Sequence, residues 1–198
     1  MYSIFFTFVL FMQFLEFLIW SDQPQKTGDN LCNTAPYKGE LNNAASQVAS
    51  FQNLLQPVFG GIVALYFTNG KNEEFVPRSV LIFLIVSYLL GIVFWVLLKR
   101  VYSKKLCTIP ASGGHHLQWP WITKKVAGNC IWIGYFLTLG VVLLSIVKIP
   151  GGKTMALYLL ISMLISMSVY PFRKAAGSWW CVSAVGAPLL KVLFPNAP

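Results

Sequence analysis

The apolar residues of this chain come in blocks of about 20, separated by short polar segments, rather than in alternating or amphipathic stripes. A helix of about 20 residues rises roughly 30 Å, which matches the hydrocarbon core of a bilayer. Backbone polar groups inside lipid must be satisfied internally, and the alternating strand pattern of a β-barrel does not occur. The pattern therefore predicts an all-α fold, a polytopic transmembrane helical bundle.

The blocks predict about six spans, with five as the smaller alternative, in a single membrane domain that covers residues 1–198. We predict the spans at residues 2–20, 43–67, 79–98, 126–147, 153–170 and 178–194. We expect the first span to be retained, because the SDQPQKTGD that follows it lacks a signal-peptide cleavage pattern. The last segment contains Pro188 and Lys191, and we expect it either to cross thinly or to lie at the interface.

Composition supports this class. The chain is 56% hydrophobic and 11% charged, whereas about 25% charged residues is typical of soluble domains. A net charge of +9 would suggest nucleic acid as the partner of a soluble protein. Here the basic residues flank the spans, which indicates contact with anionic headgroups. We therefore expect a lipid bilayer as the partner and do not favour nucleic acid.

The longest loop between the central spans, residues 99–125, is the clearest marker of orientation. It holds six of the fifteen Lys and Arg residues, both histidines, and no Asp or Glu. With six spans, the loops on its side carry ten basic residues against five on the other, so the positive-inside rule places it in the cytoplasm with both termini outside. We predict partner or lipid binding by Lys99, Arg100, Lys104, Lys105, Trp119, Trp121, Lys124 and Lys125.

The four cysteines show no CxxC spacing, and we predict no metal site and no cofactor. Cys32 and Cys107 fall on the same predicted side and could approach each other. A disulfide between them would contradict a cytoplasmic loop, because thiols stay reduced in that compartment.

Polar side chains inside the predicted spans are the candidates for helix packing. Glu16 is the one acidic residue within any predicted span, and such residues usually face a bundle interior or a cavity. The second span carries small and amide side chains at helical spacing, which favours close packing against another helix over a lining of a solute path. The predicted packing residues are Gln13, Glu16, Ser46, Ser50, Asn53 and Gln56.

His115 and His116 could serve as metal ligands or as a proton shuttle. Adjacent histidines without a third ligand at a defined spacing are a weak signal, and the nearby Trp119 and Trp121 are typical of a membrane interface. A sharper hypothesis pairs the histidines with Glu16 as an acid and base at the membrane edge.

Four short motifs run along the chain: Gln13-x-x-Glu16-x-x-x-Trp20, Leu55-Gln56-Pro57, His116-x-x-Trp119-x-Trp121 and Gly177-Ser-Trp-Trp-Cys181. Together they resemble small multi-pass membrane proteins encoded by large icosahedral DNA viruses of algae and protists. The resemblance implies a place in the internal membrane of the virion or in a host membrane, with other membrane proteins or minor capsid proteins as partners. It carries over no catalytic residue.

The sequence favours a non-enzymatic multi-pass integral membrane protein that acts as an anchor or scaffold, here a viral membrane or capsid-associated structural protein. The alternative is a small carrier, channel or intramembrane enzyme that uses Glu16 together with His115 and His116. A carrier needs its polar residues around a water-accessible cavity, whereas a scaffold packs them in helix interfaces.

Overall fold

A computed structural model describes residues 2–23, 39–68, 75–99, 108–110, 117–118, 126–149 and 151–169, together with Gly186. Its elements in chain order are α1 (Tyr2–Ser21), α2 (Glu40–Thr68), α3 (Arg78–Lys99), β1 (Ile109–Pro110), β2 (Leu117–Gln118), α4 (Val126–Ile146) and α5 (Gly152–Val169). Among the described residues the fold is all-α apart from the short antiparallel pair, in which Ile109 is opposite Gln118 and Pro110 is opposite Leu117.

The helices follow the apolar blocks of the sequence closely. The predicted spans at 2–20, 79–98, 126–147 and 153–170 each agree with a helix to within one residue at either end. The second helix begins three residues before the predicted 43, because Gly39 takes the left-handed φ of 53° and its carbonyl accepts the hydrogen bond of Asn43 N–H. The predicted span at 178–194 lies outside the described residues except for Gly186, which is helical.

The helices α2, α3 and α4 pack against one another, α1 packs against α2, and α5 packs against α4. Close approach of α2 and α3 depends on Gly61, because a Cβ at this position would collide with the side chain of Ile85. On a neighbouring face of α2, a Cβ at Gly60 would lie 3.2 Å from Val142 of α4. Small residues on α2 therefore bring two helices to it at short distance.

The turn between α4 and α5 is tight, as the sequence KIPGGK predicts. Ile149 N–H donates to Ile146 O at 3.0 Å, and Gly152 N–H donates to Ile149 O at 2.7 Å. Gly151 has a φ of 74°, a conformation that side-chain-bearing residues rarely adopt. The two helices are therefore antiparallel neighbours.

Two separate apolar clusters hold the described residues together. The main core lies among α2, α3, α4 and α5, with members such as Leu54, Ile85 and Val142. A smaller cluster, called here the first-helix cluster, joins α1 to the first half of α2 and to β2. Its members are Met12, Leu15, Ile19, Ala45, Ala49 and Leu117, with Leu18 partly buried beside them.

Among the described residues, two helices are long and apolar enough to cross a membrane, Glu40–Thr68 and the Arg78–Leu97 part of α3. They meet this criterion by length and composition, and the buried core helices of soluble proteins can meet it too. Two of the described helices thus support an association of the protein with a membrane.

Candidate functional site

The most highly organised polar site of the described structure lies where α2 begins. The side-chain amide of Asn42 pairs with both backbone groups of Thr108: Nδ2 donates to Thr108 O at 2.9 Å, and Thr108 N–H donates to Oδ1 at 3.1 Å. Both residues have 0% exposure. The side chain of Asn42 thus pairs with the N–H and C=O groups of Thr108 as the backbone of a neighbouring β-strand would.

Two hydroxyl groups complete this pairing. Ser46 lies one helical turn after Asn42, and its hydroxyl donates to Asn42 Oδ1 at 3.0 Å. Ser46 Oγ also lies 2.7 Å from Thr108 Oγ1. Because the single proton of Ser46 is given to Asn42, the Thr108 hydroxyl donates in the second bond. All three residues are therefore joined by complementary donors and acceptors with no exposure to solvent.

The end of α1 joins the same site. Asn42 N–H donates to Asp22 Oδ2 at 2.9 Å, so the carboxylate lies at the positive end of α2 and satisfies a backbone donor of its first turn. Gln23 Nε2 donates to Ile19 O at 2.8 Å and to Thr108 O at 3.2 Å. The last turn of α1, the first turn of α2 and Thr108 therefore meet at one end of the bundle.

We call Thr108, β1 and β2 the clasp, because they return from the connection between α3 and α4 to cover α1 and α2. Ile109 is 7% exposed and Leu117 is 0% exposed. Leu117 enters the first-helix cluster, where it packs with α1 and α2. The segment 99–125 is predicted as a loop, and its described residues include a short strand pair in which Ile109 and Leu117 are buried.

The predicted packing residues of α1 and α2 separate into two groups in the structure. Glu16 is 5% exposed on the face of α1 that packs on α2, and Ser46 is part of the clasp site described above. Ser50 is fully buried and donates within α2 to Gln47 O at 2.7 Å. Gln13 is half-buried, and its Nε2 has no hydrogen-bond partner within the described part of the chain.

Asn53 and Gln56 form the second group, near the middle of α2. Gln56 Nε2 donates to Asn53 Oδ1 at 3.0 Å, and the hydroxyl of Tyr135 on α4 donates to Gln56 Oε1. Both amide residues are half-buried. These amides therefore connect α2 to α4 through one aromatic hydroxyl.

Tyr88 makes the equivalent connection from α3. Its hydroxyl donates to Leu54 O at 3.0 Å, in the turn of α2 that precedes Pro57. Pro57 has no N–H to give to the carbonyl of Asn53, so the helical ladder is interrupted in this turn, and the Tyr88 hydroxyl binds the next carbonyl along. The rings of Tyr88 and Tyr135 meet edge to face, with centroids 6.4 Å apart.

Sequence reasoning missed both tyrosines, Asn42, Thr108 and Gln52 as site residues. A buried phenol or amide needs a hydrogen-bond partner, and this requirement was the available signal for them. Gln52 is 6% exposed and its Nε2 donates to Phe8 O at 2.8 Å. Its Oε1 is buried without a partner among the described residues.

Most of the predicted partner-binding residues lie outside the described structure, which includes Lys99 as the last residue of α3. The two histidines, which fall between β1 and β2 in the chain, also lie outside the described structure, as do Cys32 and Cys107. The predicted residues outside the description are Arg100, Lys104, Lys105, His115, His116, Trp119, Trp121, Lys124 and Lys125. Their predicted roles stay predictions.

Comparison of the chain with protein-family models gives no match. Comparisons with curated proteins and with solved structures give no match either.

Proposed function

We propose that this protein is a multi-pass integral membrane anchor or scaffold whose basic loop, residues 99–125, contacts acidic protein surfaces or anionic lipid headgroups. The observation that carries the membrane part of the proposal is the apolar exterior of the bundle. Large apolar side chains are more than half exposed on every helix, for example Phe17, Tyr66, Phe83, Leu137 and Leu164. Soluble monomers rarely expose contiguous apolar surface on this scale, whereas lipid solvates it.

The peripheral helix α3 illustrates this argument. Its exposed residues include Phe83 at 68%, Leu90 at 64% and Phe94 at 66%. The hydroxyl of the buried Tyr88 lies inside instead, where it bonds α2. An apolar outside with hydrogen-bonded polar groups inside is the arrangement that a lipid environment favours.

Helix length supports more than two spans. The backbones of α1, α4 and α5 contain 20, 21 and 18 residues. At 1.5 Å per residue these lengths correspond to roughly 27–32 Å, close to the thickness of the hydrocarbon core. Together with α2, α3 and the segment 178–194, they would make the six-span bundle that the sequence predicts.

The proposed orientation is supported by the clasp site and by the charges. Asp22 belongs to the end of α1, Asn42 to the start of α2, and Thr108 to the connection after α3, and all three meet. The first and third loops would therefore emerge on the same side of the membrane. This is the side with more Lys and Arg, which the positive-inside rule assigns to the cytoplasm.

In the viral case suggested by the sequence motifs, the protein would lie in the internal membrane of the virion or in a host membrane, and its loop would contact minor capsid proteins. The test is purification in mild detergent with and without Lys104, Lys105, Lys124 and Lys125 changed to Ala. We expect acidic protein partners or anionic lipid to be lost with these four charges. A matched variant, with Lys71, Arg78, Lys148 and Lys153 changed to Ala, removes the same charge from the opposite side and should keep the partners.

Equal loss from the two variants would refute the role of the 99–125 loop. Extraction of the unchanged protein from membranes by alkaline carbonate would refute integral membrane insertion.

A second candidate function, a carrier or intramembrane enzyme, is favoured by the place of Glu16. Glu16 is buried between Leu15 and Ile19 of the first-helix cluster, and Leu117, which directly follows His116 in the chain, packs into that cluster. A carboxylate and an imidazole could thus act as an acid and base pair. This candidate is rejected if Glu16→Gln and His116→Ala both leave the cellular activity of the protein unchanged.

A further inference from the structure

Helix α1 is attached to the bundle separately from the other helices. The main core includes residues of α2, α3, α4 and the start of α5, while the buried apolar residues of α1 belong to the first-helix cluster. In that cluster α2 contributes Ala45 and Ala49, which bury little surface. Leu117 of the clasp packs beside these alanines, and nearer the start of α1 the ring of Phe8 stacks on that of Phe59 of α2 with centroids 4.9 Å apart.

The interface that α1 covers is unusually polar for an apolar helix pair. Glu16 of α1 is 5% exposed, and Gln52 of α2, which donates to Phe8 O of α1, is 6% exposed. Lipid tails solvate apolar side chains as well as another helix does, so apolar contact alone holds two helices together weakly in a membrane. Directional hydrogen bonds must therefore contribute to the docking of α1.

One such bond runs from Gln52 to Phe8 O in the first half of α1, and further bonds join the end of α1 at the clasp. Gln23, just after α1, donates to Thr108 O, and Asp22 accepts from Asn42 N–H. Asn42 in turn holds both backbone groups of Thr108. One residue of the clasp is thus bonded to the end of α1 and to the start of α2 at the same time.

We propose that the clasp is a latch that locks α1 onto α2, and that its release lets α1 leave as a unit and uncovers the polar interface with Glu16 and Gln52. The latch itself is independent of the anchor function. The latch would also sense a bound partner, and this role rests on the anchor function. A partner that draws the 99–125 loop away from the bundle would withdraw Thr108 and Leu117 and free α1.

Two alanines on α2 allow a sharp test. Ala49 lies in the first-helix cluster and Ala64 lies in the main core, and both are 0% exposed. Each is changed to Cys, and labelling by N-ethylmaleimide in mild detergent is read from the mass of the peptide that contains it, so the native cysteines can stay. We expect Asn42→Ala to accelerate labelling of Cys at position 49 by at least about tenfold, the ratio expected when a buried hydrogen-bond pair is lost.

Labelling at position 64 should stay slow in the same variant. The matched control Gln47→Ala removes an amide whose hydrogen bond to Asn43 stays within α2, and it should accelerate neither site. Thr108→Val, which keeps the backbone pair but removes the hydroxyl bonded to Ser46, should have an intermediate effect at position 49.

The proposal is overturned if Asn42→Ala leaves position 49 protected, because α1 then stays docked without the latch. It is also overturned if positions 49 and 64 accelerate equally, because the clasp then supports the whole bundle. Neither readout requires a partner or a bilayer, so failure of the latch is distinguishable from failure of the anchor function.

Discussion

Asn42 and Thr108 are 66 positions apart in the chain, yet the side-chain amide of one binds both backbone groups of the other. This pairing buries the peptide groups of a connecting segment that would otherwise need water or a complete β-sheet. It also fixes the connection between α3 and α4 to the first turn of α2.

We expect Asn42→Ala to lower the free energy of unfolding by about 2–3 kcal/mol, because it leaves the buried N–H of Thr108 without its acceptor and removes one of the two donors to Thr108 O. The measurement is denaturant titration in mild detergent. Gln47→Ala on the next turn of α2 should change the same quantity by less than about 0.5 kcal/mol. Equal effects of the two substitutions would show that the Asn42–Thr108 pair contributes no specific stability.

Gly61→Ala should destabilise the bundle by about 1–3 kcal/mol, because the added methyl group collides with Ile85 and forces α2 and α3 apart. Gly140→Ala is the matched control in α4, since a Cβ there meets nothing within 4 Å. The control should be neutral or stabilise the helix by about 0.5–1 kcal/mol. Thermal unfolding of both variants compares them, and a destabilising Gly140→Ala would contradict the packing described.

Tyr88→Phe should cost about 1 kcal/mol of unfolding free energy, because it removes the hydrogen bond to Leu54 O while keeping the ring. Tyr66 is 76% exposed, so Tyr66→Phe should leave stability unchanged. Denaturant titration of the two variants is the measurement. The role of Tyr88 is refuted if both phenylalanine variants unfold at the midpoint of the unchanged protein.

Gly186→Ala should destabilise the protein, because a Cβ at this position would collide with the hydroxyl oxygen of Tyr158 on α5. Tyr158→Phe removes that oxygen and should partly restore the stability of Gly186→Ala. A double-mutant cycle should therefore give a coupling energy of at least about 0.5 kcal/mol. Additive effects of the two changes would place Gly186 away from Tyr158.

Leu90→Arg should impair membrane insertion, because Leu90 is 64% exposed near the middle of α3 and a charge at the centre of a span costs about 2.5–3.5 kcal/mol. Phe75 is 59% exposed just before α3, so Phe75→Arg should be tolerated. The fraction of protein that resists carbonate extraction measures both. Normal insertion of Leu90→Arg would indicate that this face of α3 meets water.

The sequence alone determined where the helices of the described structure lie. Long apolar blocks favour helices in any environment that excludes water, and the turn-forming residues Pro77 and Gly151 directly precede the first residues of α3 and α5. Helix boundaries therefore follow from neighbours along the chain, and four of the five helices agree with prediction to within one residue at either end.

The tertiary structure alone decided which polar residues meet. Asn42 preceded the predicted second span and Thr108 belonged to a loop, so neither position marked a site in the sequence. The tyrosine partners of α2 were hidden for the same reason, since Tyr88 and Leu54 are 34 positions apart. Hydrogen-bond partners in a bundle depend on how the helices rotate and approach one another, and local hydrophobic pattern does not contain that information.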